Sequence, residues 1–571
     1  MSVWKEPRFL RRGNYLHGSF IKHPEIDGYI NSLNPGNLDD PIGKFPFSES
    51  AADSAVGCAR EAFPMWHRGG LEARVACVHR LRDQLAAHME QLATLITRET
   101  GKPLWEAHAE VLATIKRIDV TLEHGIPQLE GWRLKELEGG CEFHPRGVIA
   151  VLGAYSLPLL VPHTHLIPAL LAGNVVILKP SKYTPAVGQL IAQMFDMARF
   201  PRGVFGMVQG SGRVVGSRLA THPDVDAVHM DGSLETAYEL RKLTLNMPWK
   251  RLVLNACGRG TAIVLDDADV DKAAYEIIVG AFLTTGQRRS STTRVIVTRS
   301  IADALIERLV QITQRLHIGH GFDDNIYMGP LISEAARRRF QHYLDVARKE
   351  GHEELRRGGR LDREPRGYYV SPSILLIHPN IKRHFPSNEL IVGPALEIHI
   401  ASSFDEAAEI HNQSRLRLVT SLFTQDEMWV KEARYCLQTG VLNLNRSTVS
   451  LSARLPLEGQ FGSSNGIPMG LFAIRACSYP LAFLEDSRPF DPNAVMPGID
   501  WPEDEDDGEV TAVRQIDLND TNDKDESGEK NENTVSDFTL PPTPSNLKVE
   551  DDEGLEVTPP MAGSSREEGE E

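Results

Sequence analysis

Between Leu71 and Arg98 the apolar residues Val75, Leu81, Leu85, Met89, Leu92 and Ile96 recur at helical spacing, so one face of this stretch is built to be buried. Gly101-Lys102-Pro103 then supplies a helix stop, and a second amphipathic segment follows from Trp105 to about Leu122. Downstream the pattern changes to short continuous apolar runs separated by helical ones: Val148 to Leu152, Val175 to Leu178, Val204 to Val208 and Val225 to Met230. Strands that alternate with helices predict a mostly parallel sheet covered on both faces, here a Rossmann-type nucleotide domain over residues 1–252. A second alternation, with strand-like Ala262 to Leu265, Val295 to Val297 and Ala395 to Ile400, predicts another α/β domain over 253–435. Residues 436–490 are expected to return to the first domain, the last folded piece being Leu471 to Leu484. No repeat at solenoid periods and no heptads are present.

Composition refines this picture at the two ends. A chain of 571 residues, 41% hydrophobic, can bury large cores and divides into at least two domains. Its net charge of -17 belongs to one segment, since residues 503–571 hold 23 acidic against 5 basic residues and the rest is near neutral. That tail is too poor in apolar residues to offset ordering entropy and is expected to be disordered. It reads either as an arm for basic partners or as a solubilising appendage. No nucleic-acid partner is expected. The most apolar stretch, Gly147 to Leu178, is interrupted by Pro158, Pro162, His163, His165 and Pro168, so it reads as buried strands and turns and not a membrane span. Six scattered cysteines without metal-ligand spacing fit a reducing compartment. With no apolar stretch behind Lys5, Arg8, Arg11 and Arg12 to make a secretory signal, a cytoplasmic location is expected.

Gly210-Ser211-Gly212-Arg213-Val214-Val215-Gly216 follows a predicted strand and opens a helix, where glycines allow close backbone approach to phosphate and the helix N-terminus favours anions. Next to it, Val225 to Ser233 resembles the aldehyde dehydrogenase strand that ends in a Phe-Thr-Gly-Ser turn under the cofactor pyrophosphate. Gly232 and Ser233 match; Met230 and Asp231 do not. Ala169 to Ser181 resembles the same family's long signature, with Lys179 at the position that contacts the adenine-side ribose. Lys182 replaces the family Glu that accepts bonds from the ribose hydroxyls; a cation cannot accept them and either favours a 2'-phosphate or is simply solvated. Leu390-Ile391-Val392-Gly393-Pro394 aligns with Glu-Ile-Phe-Gly-Pro, losing the Glu that grips the nicotinamide ribose. The resemblance implies NAD or NADP as cofactor, and these replacements imply weak or lost binding.

The same resemblance assigns the catalytic positions. The nucleophile loop reads Gly-Gln, one residue, then Cys, with an Arg five positions on; here it is Gly286-Gln287-Arg288-Arg289 with Arg294 trailing, so Arg289 stands in the nucleophile's place. The oxyanion Asn position is Ser156, in Ala154-Tyr155-Ser156-Leu157-Pro158, and the general-base Glu position is Asn255, in Asn255-Ala256-Cys257-Gly258. A guanidinium has no usable lone pair and Asn255 has no titratable carboxylate. Cys257 is either a rescue nucleophile or a small residue filling a former glycine site. Either of Arg288 and Arg289 could bind a carboxylate ligand in the vacated site or pair internally.

The resemblance covers residues 12 to 490. It extends to the succinylglutamate semialdehyde dehydrogenases through Gly286-Gln287-Arg288, Tyr155, Phe461 to Gly466 and Cys477-Ser478-Tyr479-Pro480. It implies a homodimer or dimer of dimers, paired through a strand near 133–147 and the segment near Ala476 to Leu484. Three functions follow as expectations: a catalytically inactive pseudoenzyme for ligand sensing, scaffolding or partner binding; a divergent NAD(P)-dependent oxidoreductase acting on an aldehyde or semialdehyde; or a purely structural oligomer.

Overall fold

The computed structural model describes residues 13–21, 25–378 and 392–502. The acidic tail and the Leu390-Ile391 part of the nicotinamide-side motif lie outside the described residues. Residues up to Ser487 form one compact body. Beyond it, the described part of the second unit holds a short turn at Pro492–Ala494 and a Phe490 ring set 4.5 Å from Trp501.

Each of the four apolar runs of the first half becomes a strand: Val148–Leu152, Val175–Lys179, Phe205–Met207 and Ala227–Asp231. With Arg251–Asn255 they form a parallel sheet, extended at one edge by the antiparallel pair Asn14–Leu16 and Ser19–Ile21. All five side chains of Val148–Leu152 and of Val175–Lys179 are buried, as helices on both faces require. From Val148–Leu152 the chain winds outward through Val175–Lys179 to Phe205–Met207, then crosses back to lay Ala227–Asp231 on the other side of the first strand. Strand order therefore reverses between Val148–Leu152 and Ala227–Asp231. Loops leaving such a reversal part, and ligands bind in the crevice beyond the strands' carboxyl ends. Ser156 follows one of these two strands and Asp231 ends the other.

The second sheet runs Glu353–Arg356, Ser373–Leu376, Ala395–Ala401, Thr292–Thr298, Gly260–Val264, Val419–Phe423 and Val441–Leu444, parallel throughout except its first member. Val441–Leu444 lies past the expected boundary at 435, because the helix Glu427–Cys436 is the crossover that returns the chain to pair beside Val419–Phe423. The expected helix from Leu71 to Arg98 is two, Gly70–Ala87 and Met89–Thr100. His88 breaks it: its backbone leaves helical angles, and both its N–H and its Nδ1 meet the Gln84 carbonyl. Trp132–Leu134, Gly139–Pro145 and Ser478–Leu484 form a three-stranded antiparallel sheet separate from the two larger ones.

Candidate functional site

Asp231 and Asn255 end neighbouring parallel strands in register, so their side chains emerge together at the sheet's reversal point. The Asn255 amide donates to Asp231 Oδ2 at 3.2 Å, and its carbonyl takes the Gly232 N–H at 3.1 Å. His165, on the helix Leu160–Leu171 that follows the Ser156 turn, brings Nε2 to the same Oδ2. From the other lobe Arg289 places Nε 3.2 Å from Asp231 Oδ1. Burial works to raise the Asp231 pKa, but Arg289 first, then His165 and Asn255, hold it down at about 2. Both carboxylate oxygens are engaged, so Asp231 is neither a free base nor a free nucleophile. Thus the positions that the resemblance assigns to nucleophile and general base meet on one carboxylate, at the place where the family turn has Thr.

The loop before Arg289 is held as firmly. Thr284, Thr285 and Gly286 take consecutive left-handed conformations, with φ of 55°, 56° and 67°. Two β-branched residues in that region are strained and persist only where surrounding bonds fix them. Glu106, buried on the helix Leu104–Val120, accepts from the Thr284 N–H at 3.3 Å, from the Thr284 hydroxyl, and from Arg288 Nη2 at 2.9 Å. Arg288 Nε donates to Thr284 Oγ1 at 2.7 Å, and Gln287 bridges Thr284 O to the Ile332 N–H. At Gly286 a Cβ would lie 2.4 Å from the Gly393 carbonyl, so the kept Gly393-Pro394 pair backs directly onto this loop.

One turn further along the same helix, Glu110 receives Lys102 Nζ at 2.7 Å and caps the start of the His165 helix through the N–H groups of Leu159 and Leu160. Lys102 also donates to the Ser156 carbonyl at 2.7 Å. The recess beside Ser156, walled by Lys102, Tyr155, Thr284 and Gln287, has space for about one water molecule. Arg288 pairs with Glu106 and Arg289 with Asp231, which is the internal pairing of the two readings of these arginines.

At the position that the resemblance assigns to the adenine-side ribose, Lys179 Nζ is buried and donates to Pro180 O at 2.8 Å and Gly210 O at 3.3 Å, while Gly216 packs against its stem. Burial pulls its ammonium down to about 8. Gly212–Gly216 forms a π-turn capped by Ser211, continuing into the short helix Ser217–Thr221. Ser233 caps the helix Leu234–Leu243 by accepting from the Thr236 N–H at 3.2 Å, which leaves Gly232 in the bend just before it. Lys182 is exposed and lies 5.1 Å from the Tyr183 ring.

Cys257 is buried and burial pushes its thiol up to about 11, so it carries almost no thiolate at neutral pH. The next residue, Gly258, is where the chain presses on the Arg289 carbonyl, which a Cβ would approach to 2.7 Å. Arg294 is a staple, donating to Thr261 Oγ1 and to the Ile410 carbonyl. The motif near Gly466 acts through Asn465, whose side chain clamps the backbone of Leu252 and Leu254. Sequence reasoning missed Glu106, Glu110 and His165 as site residues and treated Asp231 only as a mismatch. Its one available signal was that Asp231 and Arg289 depart from the family pattern with opposite charges.

Two mostly parallel sheets, the first with its strand order reversed between Val148–Leu152 and Ala227–Asp231, form the α/β architecture of the aldehyde dehydrogenases. The sequence matches the aldehyde dehydrogenase family over residues 21–480, and the chain belongs to that family. It is 34% identical over 462 residues to N-succinylglutamate 5-semialdehyde dehydrogenase of Salmonella agona, covering 79% of this chain and 92% of that protein. Among solved structures, an NAD-dependent aldehyde dehydrogenase from Sinorhizobium meliloti matches with a TM-score of 0.80 at 26% identity, over 85% of this chain and 96% of that one. The aldehyde dehydrogenase of Bacillus cereus, solved as an NAD+ complex, matches with a TM-score of 0.79 at 25% identity, over 84% and 97%.

Proposed function

We propose that this chain keeps the aldehyde dehydrogenase fold for ligand sensing, scaffolding or partner binding, and does not oxidise aldehydes by a covalent thiohemiacetal route. The observation that carries this reading is the closure of Arg289 and Asn255 onto Asp231. A guanidinium cannot form the covalent intermediate, and the nearby thiol of Cys257 is buried and protonated. Loss of a general base alone costs roughly 10²- to 10⁴-fold, and loss of one oxyanion donor roughly 10²- to 10³-fold. These losses do not simply add, yet neither includes the nucleophile.

A second reading has its own support: an NAD(P)-dependent oxidoreductase acting on an aldehyde or semialdehyde. The relatives named above are dehydrogenases, and the comparisons favour this reading over an inactive one; the case for inactivity rests on side-chain chemistry alone. A turnover screen separates the two, using the full chain with NAD and NADP on N-succinylglutamate 5-semialdehyde and on simple aldehydes. No turnover is expected. Turnover that survives Cys257→Ala and Arg289→Ala establishes the oxidoreductase, and turnover lost only in Cys257→Ala makes that thiol the nucleophile.

For its partners we infer a homodimer or dimer of dimers, with the acidic tail as an arm for a basic protein, in the cytoplasm. No helix among the described residues is long and apolar enough to cross a membrane. Support for self-association comes from the three-stranded sheet, which leaves Trp132, Leu134, Tyr479, Leu481 and Leu484 exposed.

A further inference from the structure

The family implies a dinucleotide, and the residues here furnish its two halves unequally. Hydride transfer would require the nicotinamide ring to approach within about 3–3.5 Å of a carbon held at the nucleophile position. Arg289 stands at that position, and its side chain runs to Asp231, the residue directly before the Gly232-Ser233 turn that the family uses for pyrophosphate. It therefore spans the interval between the two points the nicotinamide half must bridge. The pair is built in, since the Arg289 side chain is 22% exposed and the Asp231 side chain 5%, and Asn255 and His165 complete the carboxylate's bonds. Admitting the ring would mean breaking a buried ion pair and leaving a carboxylate without its counter-charge.

Among the described residues no ion pair crosses the positions that the resemblance assigns to the adenylate half. Lys179 commits two of its three ammonium donors to Pro180 O and Gly210 O, which leaves one for a ribose hydroxyl. A Cβ at Gly212 would meet nothing within 4 Å, so the turn is open on its outer side. Arg289 also offsets the Asp231 charge at the phosphate turn, because an unpaired carboxylate beside Gly232 would oppose a pyrophosphate.

We infer that the cleft selects an adenine nucleotide without nicotinamide, a ligand of the ADP class, with Arg289 both excluding the ring and neutralising Asp231 beneath the phosphates. This rests on the ligand-sensing part of the proposed function and not on the absence of turnover. The test is calorimetry on the full chain with ADP, NAD and nicotinamide mononucleotide. ADP is expected to bind, NAD to bind about tenfold or more weaker, and the mononucleotide not at all. Arg289→Ala should weaken ADP by baring the carboxylate, and Asp231→Thr with Arg289→Ala should restore ADP and remove the discrimination against NAD. NAD binding as tightly as ADP in the wild type, or no ADP binding at millimolar concentration, overturns the inference without any variant having to fold. Aldehyde turnover is scored separately: tight NAD binding without turnover sinks this inference alone, whereas turnover sinks the inactive reading.

Discussion

Arg289 is bound to Asp231 in a pairing whose two halves come from different lobes, so its energetic role can be isolated. Arg289→Ala strands a carboxylate that is nearly inaccessible, and the expected loss is about 3 kcal/mol in the unfolding free energy, since breaking a buried pair from one side costs roughly 3–5. Asp231→Thr with Arg289→Ala removes both charges and should recover most of it, a positive coupling that a double-mutant cycle in urea measures. The pH dependence has a definite sign. Burial alone would raise the Asp231 pKa, yet Arg289, His165 and Asn255 hold it at about 2, below the ordinary 3.8. A depressed carboxyl pKa contributes stability above the unfolded value that is lost as pH falls through the folded one. That contribution is therefore constant from neutrality to about pH 4 and disappears between about 4 and 2. Asp231→Thr should flatten this part of the stability curve relative to wild type. Lys182, by contrast, is exposed, and an exposed charge pair is worth at most about 1 kcal/mol, or about fivefold in affinity. A 2'-phosphorylated adenosine nucleotide should bind better than its unphosphorylated form by that factor, and Lys182→Glu should erase the preference; equal binding of both by wild type would leave Lys182 a merely solvated residue.

At the scale of elements, the site depends on a turn that the chain would not choose by itself. Thr284 sits in its left-handed conformation held by Glu106 and Gln287, and Thr285 in its own by a bond from its hydroxyl to the Gly329 carbonyl. Glu106→Ala leaves Arg288 without its carboxylate and Thr284 without its acceptor, so a loss of about 3–5 kcal/mol is expected. Glu106→Gln keeps an acceptor and should lose less; equal melting temperatures for Glu106→Ala and wild type would show that the turn stands without this support. This dependence also explains which parts were legible in the sequence. The parallel strands could be read because continuous apolar runs mark burial on both faces, a property local to each run. The break at His88 could not, because apolar spacing continues through it and only the imidazole's bond to Gln84 reveals it. Counting along a motif placed Arg289, Asn255 and Ser156. Their pairing was invisible, since His165 lies 66 residues from Asp231 in the chain, and Glu106 lies 182 from Arg288. A sequence records that a charge is present, whereas the fold decides which opposite charge it meets.

For the whole molecule the question is what covers the outer sheet. Its strand Ser478–Leu484 pairs along its full length with Gly139–Pro145, which leaves its other edge and the side chains of Tyr479, Leu481 and Leu484 exposed. An exposed strand edge with apolar side chains is a template for further pairing, and stable proteins cover such edges. Self-association through this edge is therefore the expected state, and sedimentation at micromolar concentration should find a dimer or tetramer. Leu481→Asp should shift the population toward monomer by placing a charge in the contact. The tail works in the opposite direction: with a net charge of -18 over residues 503–571, its copies repel one another at low ionic strength. Deleting it should leave assembly intact and, in dilute buffer, strengthen it slightly, an effect that 0.5 M salt would abolish by screening. A full-length chain that stays monomeric at micromolar concentration in high salt would show that the outer strand is covered by something other than a second copy.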